Sequence, residues 1–99
     1  MTINRQLDGN KLTLSLEGRL DTLTAPELEE EIKRSLGSAD SLTLDFGKLD
    51  YISSAGLRVL LNAHKLMQSK GGMKVTHINE IVREVFEVTG FSSILSIEE

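Results

Sequence analysis

Two adjacent serines, Ser53 and Ser54, stand where a strongly apolar segment begins, and the small residues Ala55 and Gly56 follow them. A hydroxyl at the start of a helix can accept a hydrogen bond from a free backbone N–H and so cap the helix. It can also carry a phosphate, because the free N–H groups and the positive end of the helix dipole stabilise an anion there. The pair therefore indicates two separable roles, one structural and one regulatory.

Helical spacing assigns these roles to the two serines. Ser53 is the predicted N-cap, because Ile52 before it and Leu57 after it have the spacing of a hydrophobic staple. Continued back by one turn, the helix places Ser54 beside the polar stripe that contains Arg58, whereas a helical Ser53 would point into the apolar arc. Ser54 is therefore the predicted site of phosphorylation, and Ser53 is the second choice.

Phosphorylation at this position is expected to switch binding off. A phosphate adds roughly −1.5 to −2 charges at neutral pH. Its desolvation against an apolar partner can cost several kcal/mol, and about 1.4 kcal/mol already lowers an affinity tenfold. The small residues Ala55 and Gly56 are expected to let the backbone or active site of another protein come close to the hydroxyl.

The pattern of the whole chain predicts an α/β fold, in which a mixed sheet of about four to five strands is flanked by helices in one domain over residues 1–99. Strands are predicted over residues 2–7, 11–18, 41–46, 73–78 and 92–97, and the first two form a hairpin through residues 8–10. Helices are predicted over residues 24–37, from Ser53 to the glycines at 71–72, and over 80–89. A Thr24–Glu27 capping box starts the first helix and Asn79 caps the third. Strands separated by helices usually pair in parallel, so we expect only the hairpin to be antiparallel.

Composition argues against several classes of function. The formal net charge is −4 and the basic residues are scattered, which argues against binding of nucleic acid. The chain has no cysteine, and hence no disulfide, thiolate metal site or cysteine nucleophile. No apolar run approaches the roughly 20 residues of a membrane span. The first residues lack the pattern of a secretory signal, so we expect a cytoplasmic protein without membrane insertion.

Motifs of catalysis are also missing from the sequence. Neither the nucleophile elbow G-x-S-x-G nor the phosphate-binding loop GxxxxGK[ST] occurs, so ATP chemistry would have to come from a partner. His64 and His77 lack the spacing of a zinc site, and His64 is expected to pack at the border of the apolar arc. Asp45 and Asp50 are interpreted as strand-end turn residues rather than as a metal-binding or catalytic pair. We therefore expect no enzyme, no metal and no cofactor.

Two long segments carry a resemblance to a known family. "LEGRLDTLTAPELEEEI" and "LDFGKLDYISSAGLRVLLNAHKLMQSKGGMKV" resemble the STAS domain of anti-sigma-factor antagonists. The resemblance covers nearly the whole chain and includes the G-x-L-D step at residues 18–21 and the double glycine after the long helix. It implies a mixed sheet flanked by helices and a phosphoacceptor serine at the start of the second helix. Aligned on the glycine, that serine falls on Ser54.

The resemblance also implies a mechanism of partner switching. The partner would be an anti-sigma factor that is itself a serine kinase and phosphorylates the antagonist with ATP. The unmodified antagonist would bind the anti-sigma factor and free the sigma factor, the phosphorylated form would let go, and a serine phosphatase would reset the cycle. Two positions depart from the pattern. Many antagonists have an acidic residue at the position of Ser53, and a glycine at the position of Arg58.

The expected partner surface combines the turn at 53–57, the exposed side of the following helix and the loop at 21–24. For the loop, turn and cap chemistry is an equally good explanation. The predicted partner-binding residues are Asp21, Thr22, Thr24, Ser53, Ser54, Ala55, Gly56, Leu57 and Arg58.

Other functions remain as alternatives. The first is a STAS module of a transporter-associated or lipid-trafficking complex without a phosphorylation cycle. A second is a weak nucleotide-binding or nucleotide-hydrolysing protein. A hydrolase that uses Ser54 comes last, because neither its base nor its oxyanion hole can be located in the sequence.

Overall fold

A five-stranded mixed sheet organises the protein, and the computed structural model describes residues 1–35, 37 and 39–98. The strands are β1 (Thr2–Asp8), β2 (Lys11–Leu20), β3 (Ser41–Ile52), β4 (Met73–Thr76) and β5 (Ser96–Glu98). The helices are α1 (Ala25–Ser35), α2 (Ser54–Met67) and α3 (Glu80–Thr89), and a 3₁₀ turn follows at Phe91–Ser93. The strands lie side by side in chain order, with β1 antiparallel to β2 and the other pairs parallel. The predicted α/β class and mixed sheet are confirmed.

The sheet has one apolar face and one polar face. Every second residue in the first part of β2 is buried, namely Leu12, Leu14 and Leu16, and the polar residues between them face the other way. Each parallel crossover moves one strand further in the same direction, so right-handed crossovers place all three helices on the apolar face. Phe46 of β3 and Phe86 of α3 meet there, with ring centroids 6.4 Å apart. The core therefore lies between the sheet and one layer of helices.

β3 is longer than predicted. It covers Ser41–Ile52, whereas the sequence predicts a strand only over residues 41–46. The apolar alternation of the sequence stops after Phe46, and the structure shows that Gly47 and Lys48 are both exposed. Register shifts between β2 and β3 absorb the irregularity, as β-bulges do. The longer strand brings the chain directly to the two serines.

The predicted strand at 92–97 is wrong over residues 92–95 and confirmed only at its last two residues. Gly90 ends α3 in the left-handed conformation (φ 82), and the chain then turns through Phe91–Ser93 before the short β5. Hydrogen bonds from the N–H groups of Ile94 and Leu95 to the carbonyl of Phe91, at 3.0 and 2.9 Å, hold this turn. β4 is also shorter than predicted, and beyond its end His77 has a positive φ of 58. Of the predicted first helix, residue 36 lies outside the described residues.

The start of α2 lies very close to the end of β2. Gly56 is buried, and a Cβ built on it would lie 2.7 Å from Cγ of Leu20 and 2.9 Å from Cγ1 of Ile52. Real Cβ atoms essentially never approach other atoms so closely. Glycine at this position therefore lets the helix pack against the strand ends.

We predict that Gly56→Ala destabilises the fold. The added methyl group must displace Leu20 or Ile52 in a packed core, which costs about 1–3 kcal/mol. The midpoint of urea denaturation measures this loss. Gly37→Ala is the matched control, because a Cβ at Gly37 meets nothing within 4 Å, and it should change stability by less than about 0.5 kcal/mol. Equal midpoints for the two variants would contradict the packing argument.

Candidate functional site

Ser53 joins the sheet to α2. Its backbone is extended (φ −99, ψ 176), and its hydroxyl accepts a hydrogen bond from the N–H of Gly56 at 3.4 Å. Its own N–H donates to the carbonyl of Leu20 at 2.9 Å, and its carbonyl accepts from the N–H of Leu57 at 2.9 Å. The predicted N-cap is therefore confirmed, and the hydroxyl of Ser53 is engaged within the chain.

Ser54 is the first residue of α2, and its side chain is exposed. Among the residues that the structure describes, no group forms a hydrogen bond with its hydroxyl. Arg58 follows four residues later in the same helix and is exposed as well. Ser54 thus combines solvent access, the positive end of a helix dipole and a neighbouring guanidinium, the conditions that favour a phosphate at this position.

Two of the predicted partner-binding residues lie inside the fold. Gly56 is buried, and Leu57 is only 6% exposed. The space left by the missing side chain of Gly56 is filled by Leu20 and Ile52 of the same chain, so this glycine serves close packing within the fold. The approach of a partner to this turn stays a prediction. Both residues position the turn from inside, while Ser54 and the half-buried Ala55 face outward.

Hydrogen bonds within the loop at 21–24 hold its shape. The Oδ1 atom of Asp21 accepts from the N–H groups of Leu23 at 3.0 Å and Thr24 at 3.2 Å. The Thr24 hydroxyl accepts from the N–H of Asp21 at 2.9 Å and donates to the carbonyl of Arg19 at 2.7 Å. The predicted Thr24–Glu27 capping box is therefore wrong, because the Thr24 hydroxyl points back into the loop rather than forward along α1.

This hydrogen bonding also changes the acidity of Asp21. Partial desolvation raises the pKa of its carboxyl group, but the N–H groups of Thr24 and Leu23, the Thr24 hydroxyl and the positive charge of Arg19 together outweigh it. The pKa of Asp21 consequently lies below its ordinary value. The carboxylate is thus the form that the loop stabilises.

The loop and the start of α2 are neighbours. Thr22, Ala55 and Arg58 line one shallow depression of about 180 Å³, and Pro26 of α1 contributes to its wall. The structure therefore brings the predicted loop beside the predicted phosphorylation site. Their contact with a partner stays a prediction.

Sequence reasoning missed two features of this region. Leu23 lies at the tip of the loop with 85% of its surface exposed, although it is apolar. Its position between turn-forming residues was the only signal in the sequence. Arg19 stacks on Tyr51, with the guanidinium carbon 4.4 Å from the ring centroid, and approaches Asp21 at 3.8 Å. That stacking depends on the pairing of β2 with β3, which no local pattern shows.

The remaining polar candidates lie elsewhere. Asp45 is inside β3 rather than in a strand-end turn, and its Oδ1 atom lies 3.2 Å from Nδ1 of His77. Asp50 is exposed near the end of the same strand, and His64 is half-buried on α2. Within the described ranges 1–35, 37 and 39–98, no group of three potential metal ligands gathers. None of the described helices is long and apolar enough to cross a membrane.

The sequence and the fold were compared with known proteins. The family model described as "Mlab, STAS domain" matches residues 3–96. The chain belongs to the STAS domain family. BtrV of Bordetella bronchiseptica, named as a candidate anti-sigma factor antagonist, is 42% identical over 94 residues, which are 93% of this chain and 80% of that protein. The resemblance inferred from the sequence is confirmed.

Solved structures of similar fold bear related names. An anti-sigma factor antagonist from Mycobacterium paratuberculosis matches with a TM-score of 0.88 and 23% identity, over 97% of this chain and 83% of that one. The antagonist SpoIIAA in its unphosphorylated form matches with a TM-score of 0.84 and 16% identity, over 99% of this chain and 89% of that one. At such identities the likeness shows the shared fold.

We predict that Asp21 makes stability depend on pH in the acidic range. Because its pKa is lowered in the folded state, its stabilising effect is present above the unfolded-state value of about 3.9 and is lost as the pH falls through the lower folded-state value. Asp21→Ala should therefore lower the midpoint of urea denaturation at pH 7. The difference in midpoint between this variant and the unsubstituted chain should become smaller below about pH 4. Asp50→Ala, at an exposed strand position, is the control. A difference for Asp21→Ala that stays constant down to pH 3 would refute the assignment.

Proposed function

We propose that this protein is an anti-sigma-factor antagonist that binds an anti-sigma factor while Ser54 is unmodified and releases it when Ser54 is phosphorylated. The observation that carries the proposal is that the hydroxyl groups of the two serines have different environments. Ser53 uses its hydroxyl to cap α2, whereas Ser54 presents its hydroxyl to solvent at the same helix start. The names of the relatives, which include anti-sigma-B factor antagonists, support the partner class.

The proposed switch works by electrostatics and desolvation. Phosphorylation replaces the Ser54 hydroxyl by a group with roughly −1.5 to −2 charges. In the free chain this charge is stabilised by the N–H groups at the start of α2 and by Arg58 four residues later. In a complex, the partner would have to strip water from the phosphate, which can cost several kcal/mol. The modification thus favours the free chain over the complex.

The partners have defined chemical roles in this scheme. The kinase binds ATP, the Oγ atom of Ser54 attacks the γ-phosphorus, the hydroxyl proton is lost and ADP leaves. The phosphatase then hydrolyses the phosphoserine to serine and phosphate. The antagonist contributes the acceptor hydroxyl and the surface around it. SpoIIAA has the same fold and has been solved in a phosphorylated form, with a TM-score of 0.76 to this chain.

The rigid loop at 21–24 and the start of α2 would form the partner surface together. Exposed Leu23 offers an apolar contact, and Thr22, Ala55 and Arg58 surround the depression beside Ser54. Because hydrogen bonds already hold Asp21 and Thr24 in place, little conformational entropy is lost when a partner binds this loop.

Phosphorylation by the cognate anti-sigma factor and ATP tests the site directly. We predict that Ser54→Ala abolishes incorporation of phosphate, whereas Ser53→Ala retains it. Ser53→Ala should also lower stability by about 1 kcal/mol, because it removes the N-cap. Mass spectrometry locates the phosphate, and thermal denaturation verifies that both variants are folded. Loss of phosphorylation in Ser53→Ala but not in Ser54→Ala would transfer the assignment to Ser53.

Binding tests the switch itself. We predict that Ser54→Asp, which imitates the charge, weakens binding to the purified anti-sigma factor at least about tenfold, while Ser54→Ala binds nearly as well as the unsubstituted chain. Isothermal titration calorimetry measures both affinities. Equal affinities for the aspartate and alanine variants would contradict the switch and favour a STAS module without a phosphorylation cycle.

A further inference from the structure

A groove lies between α1 and α2 and extends along α2 away from Ser54. Its volume is about 370 Å³, and its apolar lining consists of Ile32 of α1 with Val59, Ala63 and Leu66 of α2. Three of these side chains are buried, whereas Leu66 is 48% exposed. An apolar side chain of a partner could therefore pack against the exposed part of Leu66 and against the buried residues beneath it.

The rim of the groove carries one ion pair and one further positive charge. Glu29 and Lys33 of α1 pair with each other, with Nζ and Oε1 3.5 Å apart, so their charges largely cancel. Asn62 and Lys65 of α2 complete the rim, and both are exposed. The remaining rim charge is Lys65, whose exposed, flexible side chain can keep its ammonium group in water when an apolar segment enters the groove.

The groove continues the surface around Ser54. Glu29 and Val59 line both the groove and the depression that Thr22, Ala55 and Arg58 surround. Twelve residues separate Ser54 from Leu66 on α2, which corresponds to about 18 Å along the helix. One partner can therefore span both places along the seam of α1 and α2.

We propose that the groove receives the apolar face of a helix from the same anti-sigma factor that contacts Ser54. This inference rests on the proposed function. A channel between two helices accepts an amphipathic helix, whose apolar residues three and four positions apart enter it together. A span of about 18 Å corresponds to roughly 12 residues of such a helix.

The size of the groove argues against a second copy of this chain as its occupant. A stable interface buries about 800 Å² on each partner. Within the described part of the groove lining, Leu66 is the one apolar side chain that is substantially exposed. The groove therefore supplies only a fraction of that area. The groove can contribute to binding when it forms part of a larger interface. The surface that adjoins it is the one around Ser54.

The groove separates docking from switching. The groove begins at Val59, little more than one helical turn from Ser54, and ends at Leu66, about three turns away. Phosphorylation therefore disfavours contact at the start of α2 while it leaves the far end of the groove around Leu66 unchanged. The kinase can thus use the groove to hold its substrate during phosphoryl transfer. Loss of the groove should accordingly raise the KM for phosphorylation of Ser54 and leave kcat almost unchanged.

Leu66→Asp is the decisive variant, because it places a charge in the groove at a position that tolerates solvent. Val88→Asp is the matched control, since Val88 is an apolar residue of α3 that is 80% exposed and lies outside the groove. The probe is the purified anti-sigma factor that phosphorylates Ser54. We expect Leu66→Asp to weaken its binding at least about tenfold, and Val88→Asp to change it less than about twofold.

Circular dichroism and thermal denaturation show whether the variants are folded. If Leu66→Asp is not, the milder Leu66→Ala replaces it and should weaken binding about threefold to tenfold. A photocrosslinking amino acid at position 66 provides a second measurement. It should capture an apolar helical segment of the anti-sigma factor, which mass spectrometry identifies, and the same group at position 88 should capture none.

Several results would overturn the inference. Unchanged affinity and KM for a folded groove variant would show that the groove is not part of the interface, while weak binding of Ser54→Asp would still uphold the switch. Sedimentation that shows a dimer of this chain, dissociated by Leu66→Asp, would assign the groove to a second copy. If the unsubstituted chain neither binds nor is phosphorylated by the anti-sigma factor, the proposed function fails and this inference fails with it.

Discussion

The structure around the candidate site depends on one junction, where the end of β2 meets the start of α2. The N–H of Ser53 donates to the carbonyl of Leu20 at 2.9 Å, and Gly56 packs without a side chain against Leu20. These two contacts fix where the helix begins and how it is rotated. Because rotation of a helix decides which side chains face water, the junction turns the side chain of Ser54 outward.

The junction also gives different environments to the side chains of Ser53 and Ser54, which are chemically identical. The hydroxyl of Ser53 satisfies one of the free N–H groups that every helix start presents. The Ser54 hydroxyl is not needed for the fold, so its modification can change binding without unfolding the protein. A switch that acts on association alone requires such a separation between groups that stabilise the fold and groups that face the partner.

Both candidate surfaces belong to the helical side of the sheet. α1 and α2 enclose the groove, and the loop before α1 stands beside the start of α2. On the other side of the sheet, Asp45 and His77 pair in the polar layer, with 3.2 Å between Oδ1 and Nδ1. The two-layer architecture thus keeps the apolar surface between α1 and α2, where burial would stabilise a complex most, next to Ser54, the proposed phosphorylation site.

The sequence by itself determined the α/β class, the antiparallel hairpin with parallel strands after it, and the cap at Ser53. It also predicts Ser54 as the phosphorylation site. These features follow from local chemistry, because alternation, capping residues and helical periodicity act over a few neighbouring positions. A long and specific resemblance also identified the family, which the comparisons confirm.

Only the tertiary structure decided what depends on residues far apart in the chain. The length of β3 depends on the bulged register with β2, and the burial of Gly56 depends on Leu20. Likewise, the Thr24 hydroxyl turns back to the carbonyl of Arg19, and the groove exists because α1 packs beside α2. Contacts between distant segments are set by packing and strand register, and no local pattern in the sequence encodes those distances.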